Sequence, residues 1–170
     1  AGYLLPKPQI DVNGEPMLVR VIKNVVPPGE HQVVVAVSPG TPEMYDIRQV
    51  VIGRVTDGAA RTAIIAIHSA QLDLDEPLLI ANSDQLIDWC GSIMDFLLLM
   101  ESGFDGGIVT FQCPEKDPKW SYVRTRRWNR VVQVAEKKAI SSSATAGIYW
   151  WARTEDFLRS ASEMIALDDR

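Results

Sequence analysis

Two hydrophobic rhythms alternate along the first half of the chain, and their order predicts an α/β fold. Met17, Leu18, Val21, Ile22 and Val25 fall at helical spacing, which predicts a helix over residues 14–26 that Pro27, Pro28 and Gly29 stop. The run Val33-Val34-Val35-Ala36-Val37 is apolar without interruption, as in a strand buried on both faces, and Pro39-Gly40 ends it. A short strand is expected over residues 49–52, a helix over 59–70 and another buried strand over 77–82. Residues 88–101 read as a strongly apolar helix with Gly103 as its terminator. Strands and helices in this order imply βαβ units and an open, mostly parallel mixed sheet with helices on both faces.

After Gly106 the rhythm changes. Residues 108–112, 120–126, 131–135 and 148–151 read as short strands joined by turns, and a last helix starts at Thr154 or Asp156 and ends near 167. No repeat, low-complexity segment or linker interrupts the chain. Residues 1–170 are therefore expected to form a single domain whose second half leans antiparallel.

Composition narrows the function classes. Apolar residues make up 46% and charged residues 23%, the balance of a globular chain rather than a disordered one. The net charge of −5 argues against a broad nucleic-acid surface. Arg124, Arg126, Arg127 and Arg130 do cluster, but Trp128 and Asn129 interrupt them, and a solvated turn is the simpler reading. No apolar run reaches the length of a membrane span and no signal pattern opens the chain, so no membrane association and a cytoplasmic location are expected. Cys90 and Cys113 are too few for a disulfide framework, and His31 and His68 lack metal-ligand spacing.

Four segments could carry chemistry, each with a plainer alternative. Asn82-Ser83-Asp84 ends a predicted strand, where open α/β sheets bind ligands; its carboxylate could hold Mg²⁺ or cap a following helix. Pro6-Lys7-Pro8 mounts a cation between two stiff residues, suited to a triphosphate or simply a surface lysine. Thr56-Asp57-Gly58-Ala59-Ala60 enters a helix through small residues, open to a flat base or an ordinary turn. Glu136-Lys137-Lys138 follows a strand, as a carboxylate–cation pair for a phosphorylated sugar or as a solvated charge run.

The order of these segments carries more than any one of them. Ala1-Gly2-Tyr3-Leu4-Leu5-Pro6-Lys7-Pro8, followed by Ile10-Asp11-Val12-Asn13-Gly14-Glu15-Pro16-Met17, resembles the opening of the sugar nucleotidyltransferases, such as the glucose-1-phosphate thymidylyltransferases. Asp57-Gly58-Ala59-Ala60 is similar to their base-contacting turn, and residues 77–85 to their strand ending in a magnesium aspartate. Trp120-Ser121-Tyr122-Val123, Glu136-Lys137 and Gly147-Ile148-Tyr149 resemble their sugar-pocket segments. The wording of residues 77–89 is similar to members found with capsule and polysaccharide genes.

The resemblance implies a Rossmann-like fold of the nucleotide-diphospho-sugar transferase type. It also implies a reaction, in which a sugar-1-phosphate oxygen attacks the α-phosphorus of a nucleoside triphosphate and releases pyrophosphate. Lys7 and Asp84 would be catalytic, with Asp84 on Mg²⁺ and Lys7, Gly58 and Ala59 on the nucleotide. Ser121, Glu136, Lys137 and Gly147 would line the sugar site. The expected partners are a nucleoside triphosphate and a sugar-1-phosphate, and a homo-oligomer is compatible with the sequence.

The family's glycine-rich loop with arginine would precede Ala1, and its second metal carboxylate would follow Arg170. The chain is thus expected to lack both, and a stretch lacking both is not expected to catalyse alone. Asn82-Ser83, Ser121 and Lys138 also depart from the family's usual residues, the last two at the sugar. The alternatives are a glycosyltransferase of the same architecture, a cytidylyltransferase acting on a non-sugar phosphate such as phosphocholine, and a non-catalytic domain that keeps the fold.

Overall fold

Asn13 and Gly14 both take left-handed backbone angles, with φ of 56° and 85°, and so turn the chain before any helix can start. Asp11 bridges Pro16 across this turn, and helix α1 begins only at Met17 and runs Met17–Val25, shorter than the periodicity predicts. The computed structural model describes residues 7–44, 47–89, 93–101 and 103–167 of the 170.

Strands β1 (Val34–Val37) and β2 (Arg48–Val51) pair in parallel. Helix α2 (Ala59–Ala70) leads from them to β3 (Leu78–Ala81). Helix α3 covers Ile93–Glu101, followed by β4 (Gly106–Gln112), β5 (Tyr122–Thr125), β6 (Val131–Ala135), β7 (Ser143–Trp151) and α4 (Thr154–Ala166). β7 is the hub of a five-stranded sheet, pairing antiparallel with β3, β4 and β5, and β6 extends that sheet beyond β5.

Alternation along β3 shows how the layers are stacked. Leu79 and Ala81 join Val21 and Val25 of α1 and Ile148 of β7, while Leu78 and Ile80 join Ile67 of α2 and Phe157 of α4. Successive strand residues face opposite sides, so α1 lies on one face and α2 with α4 on the other. Helices α1 and α2 also reach the β1–β2 pair, through Leu18 and Ile22 against Val35 and Val37, and through Ile65 and Ala70 against Val34 and Val50.

The α/β class with helices on both faces therefore stands, but the balance of the sheet differs from the expectation. Among the described residues β1–β2 is the one parallel pair, and every ladder of the larger sheet is antiparallel. The reason is β7, which fills the centre of the sheet and runs against its neighbours. Its first half, Ser143-Ala144-Thr145-Ala146-Gly147, has small residues and no apolar alternation, so only residues 148–151 read as strand. Among the described residues no helix is long and apolar enough to cross a membrane.

Candidate functional site

Three strands pair with β7, which has only two edges. β4 covers nearly all of β7, from Ser143 to Trp151, so β3 and β5 must share the opposite edge. β3 takes Ile148–Trp151 of that edge and β5 takes Ser143 and Ala144. Between them, residues 145–147 of that edge lie outside both ladders. At this gap the N–H of Asn82 donates to the Gly147 carbonyl at 3.1 Å, and the N–H of Thr145 donates to the Ser121 carbonyl at 2.8 Å. The carboxyl end of β3 thus meets the entry to β5 end to end along one edge of β7.

Asp84 sits on the β3 side of this gap. It lies in a turn rather than in the first turn of a helix, because α3 starts at Ile93 and residues 85–89 are not helical. The helix-cap alternative for Asp84 therefore falls. Asn24 of α1 explains the late start of α3. Its amide donates to the Ile87 carbonyl at 2.9 Å and accepts from the Ile87 N–H at 2.8 Å, while Trp89 Nε1 donates to the Asn24 carbonyl at 3.0 Å. The backbone groups that would have begun a helix are satisfied by α1 instead.

Lys7 reaches the same place from the other end of the described chain. A 3-10 turn, Lys7–Gln9, precedes the Asn13–Gly14 hairpin, and Lys7 Nζ stands 3.4 Å from Asp84 Oδ2. The side chains are 76% and 40% exposed, so the pair is weak and either member can turn to a ligand at small cost. Pro6, the other half of the stiff mounting expected for Lys7, lies outside the described residues.

Gly147 completes this corner. Its φ is +71°, and a Cβ there would overlap the Asn82 amide and lie 2.6 Å from Gln85 Oε1. The left-handed φ favours glycine here, and the Asn82 and Gln85 side chains pack over the place a Cβ would take. Asn82 Nδ2 donates to Gln85 Oε1 at 3.3 Å across the same spot.

On the β5 side, the ladder between β5 and β6 pairs Tyr122 with Ala135, which sets Ser121 opposite Glu136. The Ser121 hydroxyl donates to Glu136, and Lys137 Nζ stands 3.6 Å from the same carboxylate. Tyr122 braces this side from beneath. It is fully buried, its hydroxyl donates to the Asp117 carbonyl at 2.8 Å, and burial, reinforced by its hydrogen bond to the Cys113 thiol, pushes its pKa up to about 12.

Gly58 stands at the N-terminus of α2 with φ of 106°, and its carbonyl accepts from the Thr56 hydroxyl at 3.2 Å. Space where a Cβ would sit is open, and Ala59 beside it is exposed. Ala60 packs in the cluster that holds Ile80, two residues before Asn82. Among the described residues no hydrogen bond or ion pair joins Gly58 or Ala59 to Lys7 or Asp84.

The structure therefore brings Lys7, Asp84 and Gly147 into one corner and Ser121, Glu136 and Lys137 into another, with both corners abutting residues 145–147 of β7. Asn24, Thr145 and Gln85 make hydrogen bonds around these corners that sequence reasoning did not foresee. Asn24 hides among the helical residues of α1, and Thr145 in a run without strand character.

The donor set says what kind of cation would fit. Among the described residues no group of three or more His, Cys, Asp or Glu could hold a metal. A lone accessible carboxylate such as Asp84 suits Mg²⁺, which commonly takes one or two protein ligands and completes its shell with phosphates and water.

No family model matches the chain, and no curated protein matches it. Solved structures do. The chain is similar to a nucleoside-diphosphate-sugar pyrophosphorylase from Vibrio cholerae RC9, at 20% identity and a TM-score of 0.75, over 97% of this chain and 72% of that one. It is similar to a CMP:2-keto-3-deoxy-manno-octonic acid synthetase complexed with CTP, at 16% identity and a TM-score of 0.68, over 96% and 74%. It is similar also to an apo UDP-glucose pyrophosphorylase, at 14% identity and a TM-score of 0.68, over 93% and 72%. The fold is thus the one these nucleotidyltransferases share.

Proposed function

We propose that the chain is the nucleotidyltransferase domain of an enzyme that joins a nucleoside monophosphate to a sugar-1-phosphate. The observation that carries this reading is the meeting of Lys7 and Asp84, 77 residues apart, beside the point where β3 ends against β7. A cation and a metal-suited carboxylate beside each other form half of what a triphosphate requires. The other half is an acceptor site, and Ser121, Glu136 and Lys137 lie on the far side of the same gap.

The chemistry needs no side-chain nucleophile. A phosphate oxygen of the sugar forms a bond to the α-phosphorus, and the bond from that phosphorus to the leaving pyrophosphate breaks. Asp84 would hold Mg²⁺, which when bound screens the triphosphate charge. The Lys7 ammonium would neutralise further phosphate charge, and Gly58 and Ala59 would admit the base against exposed backbone. Glu136 would accept hydrogen bonds from sugar hydroxyls while Lys137 took the sugar phosphate. A cytoplasmic role in supplying activated sugar for surface polysaccharide fits the wording of residues 77–89.

The likeness to a synthetase holding CTP favours one variant, in which the transferred group is a cytidylyl and the acceptor a sugar acid. Incubating the protein with Mg²⁺, each nucleoside triphosphate and a panel of sugar phosphates and sugar acids tests both. Pyrophosphate release with at least one pair is expected. A complete panel without release removes the proposal.

A further inference from the structure

The turn between β5 and β6 carries a cost that the fold does not recover. Residues Arg127–Asn129 form a 3-10 turn in which Trp128 takes a φ of 63° and Asn129 one of 54°. A bulky side chain rarely enters this left-handed region, and strain of this kind clusters where proteins bind ligands. The indole of Trp128 stands almost entirely in solvent, so its burial contributes nothing within the chain. The start of β6 exposes more apolar surface. Arg124 pairs with Gln133 and Thr125 with Val131, so Val132 bulges out of the ladder. The bulge interrupts the alternation of sides, and the adjacent Val131 and Val132 are 40% and 45% exposed. Both line, with Trp128, a shallow hollow of about 650 Å³.

Three arginines complete that hollow. Arg126, Arg127 and Arg130 line it beside the apolar residues, and all three are exposed. Among the described residues their guanidinium groups make no hydrogen bond or ion pair. Arg124 differs, because Gln133 Oε1 and the Ile140 carbonyl hold it, each at 2.9 Å. No Asp or Glu lies between Asp117 and Glu136, in a chain whose net charge is −5. The hairpin tip therefore concentrates positive charge around an apolar surface, against the balance of the rest of the chain.

We infer that this tip docks on an anionic lipid surface, with Trp128, Val131 and Val132 in the interfacial region and the three arginines on headgroup phosphates. Charge and apolarity together select that partner. Acidic lipids attract clustered arginines, and an indole sits well at headgroup depth. A nucleic-acid strand would use the arginines but leave both valines without an apolar partner. A protein partner would need a patch much larger than one hairpin tip, whereas a bilayer asks for no matching shape. The sequence expectation of no membrane association rested on the lack of an apolar span, and a peripheral contact needs none. The inference stands on the hairpin and not on the proposed reaction. Ser121 and Glu136 lie at the other end of the same hairpin, beyond the Tyr122–Ala135 pair.

Co-sedimentation with vesicles measures the contact, using phosphatidylcholine alone and phosphatidylcholine mixed with phosphatidylglycerol, with circular dichroism confirming that each variant is folded. Binding is expected to the mixed vesicles, weakened by salt, and not to the neutral ones. Each arginine contributes about fivefold, so Arg126→Gln, Arg127→Gln and Arg130→Gln combined should weaken binding about a hundredfold. Trp128→Asn should weaken it about tenfold while relieving the backbone, so that the variant is no less stable than the wild type. That opposition separates docking from a loss of fold. No binding to the mixed vesicles overturns the inference, as does equal binding to neutral ones or binding unchanged in either variant. Binding to a single-stranded oligonucleotide but not to vesicles overturns it in favour of a nucleic-acid surface.

Discussion

Gly147 and Trp128 both hold left-handed backbone angles, and they test opposite sides of the same rule. Gly147 has φ of +71° in contact with Asn82 and Gln85, so a side chain there meets both strain and overlap. Gly147→Ala should destabilise the fold by about 1–2 kcal/mol, read from the denaturant midpoint. Trp128 has φ of 63° and ψ of 32° and is followed by Asn129 with φ of 54°. These are the angles of a two-residue hairpin turn that favours Asn-Gly. Trp128 is 89% exposed and recovers little by burial. Trp128→Asn should therefore stabilise the protein by about 1 kcal/mol and raise Tm by about 2–4 °C. Glycine 147 could be singled out in the sequence only by family resemblance, because nothing local shows that Asn82 will close on it. The pairing of Lys7 with Asp84 is hidden for the same reason: each is a surface residue with a plain alternative until the fold joins them.

At the scale of elements, local rhythm was enough where no tertiary contact redirects the backbone. The limits of α2 and β6 coincide with those read from the sequence, residues 59–70 and 131–135. It failed where a tertiary contact overrides propensity. Asn24 captures the backbone of Ile87, and the apolar run expected to be helical from residue 88 stays open through Trp89. Asn24→Ala should free that backbone and loosen the turn carrying Asp84, seen as faster amide exchange at Ile87. The β5 strand offers a pH test. The Tyr122 hydroxyl has an ordinary pKa of 10.0, and its burial raises this to about 12 in the folded protein. As pH rises this hydroxyl ionises first in the unfolded chain, so its contribution to stability is level below about pH 10 and falls between about 10 and 12. Denaturation midpoints across that range should fall in the wild type, and Tyr122→Phe should flatten the part of the decline that belongs to this hydroxyl.

For the whole molecule, the parallel expectation came from counting strands and helices in order, which says nothing about which strand becomes central. β7 decides that, and it also creates the gap on which the functional reading depends, since two partners share one of its edges. The fold is one that solved nucleotidyltransferases share, and the alternative reading is a glycosyltransferase that consumes a nucleotide sugar. The reaction products separate the two. Phosphorus NMR of the protein turning over a nucleoside triphosphate and a sugar-1-phosphate in Mg²⁺ should show inorganic pyrophosphate and a nucleotide sugar, with both signals lost in Asp84→Asn. A nucleoside diphosphate as the product, or pyrophosphate release unchanged in Asp84→Asn, would contradict it.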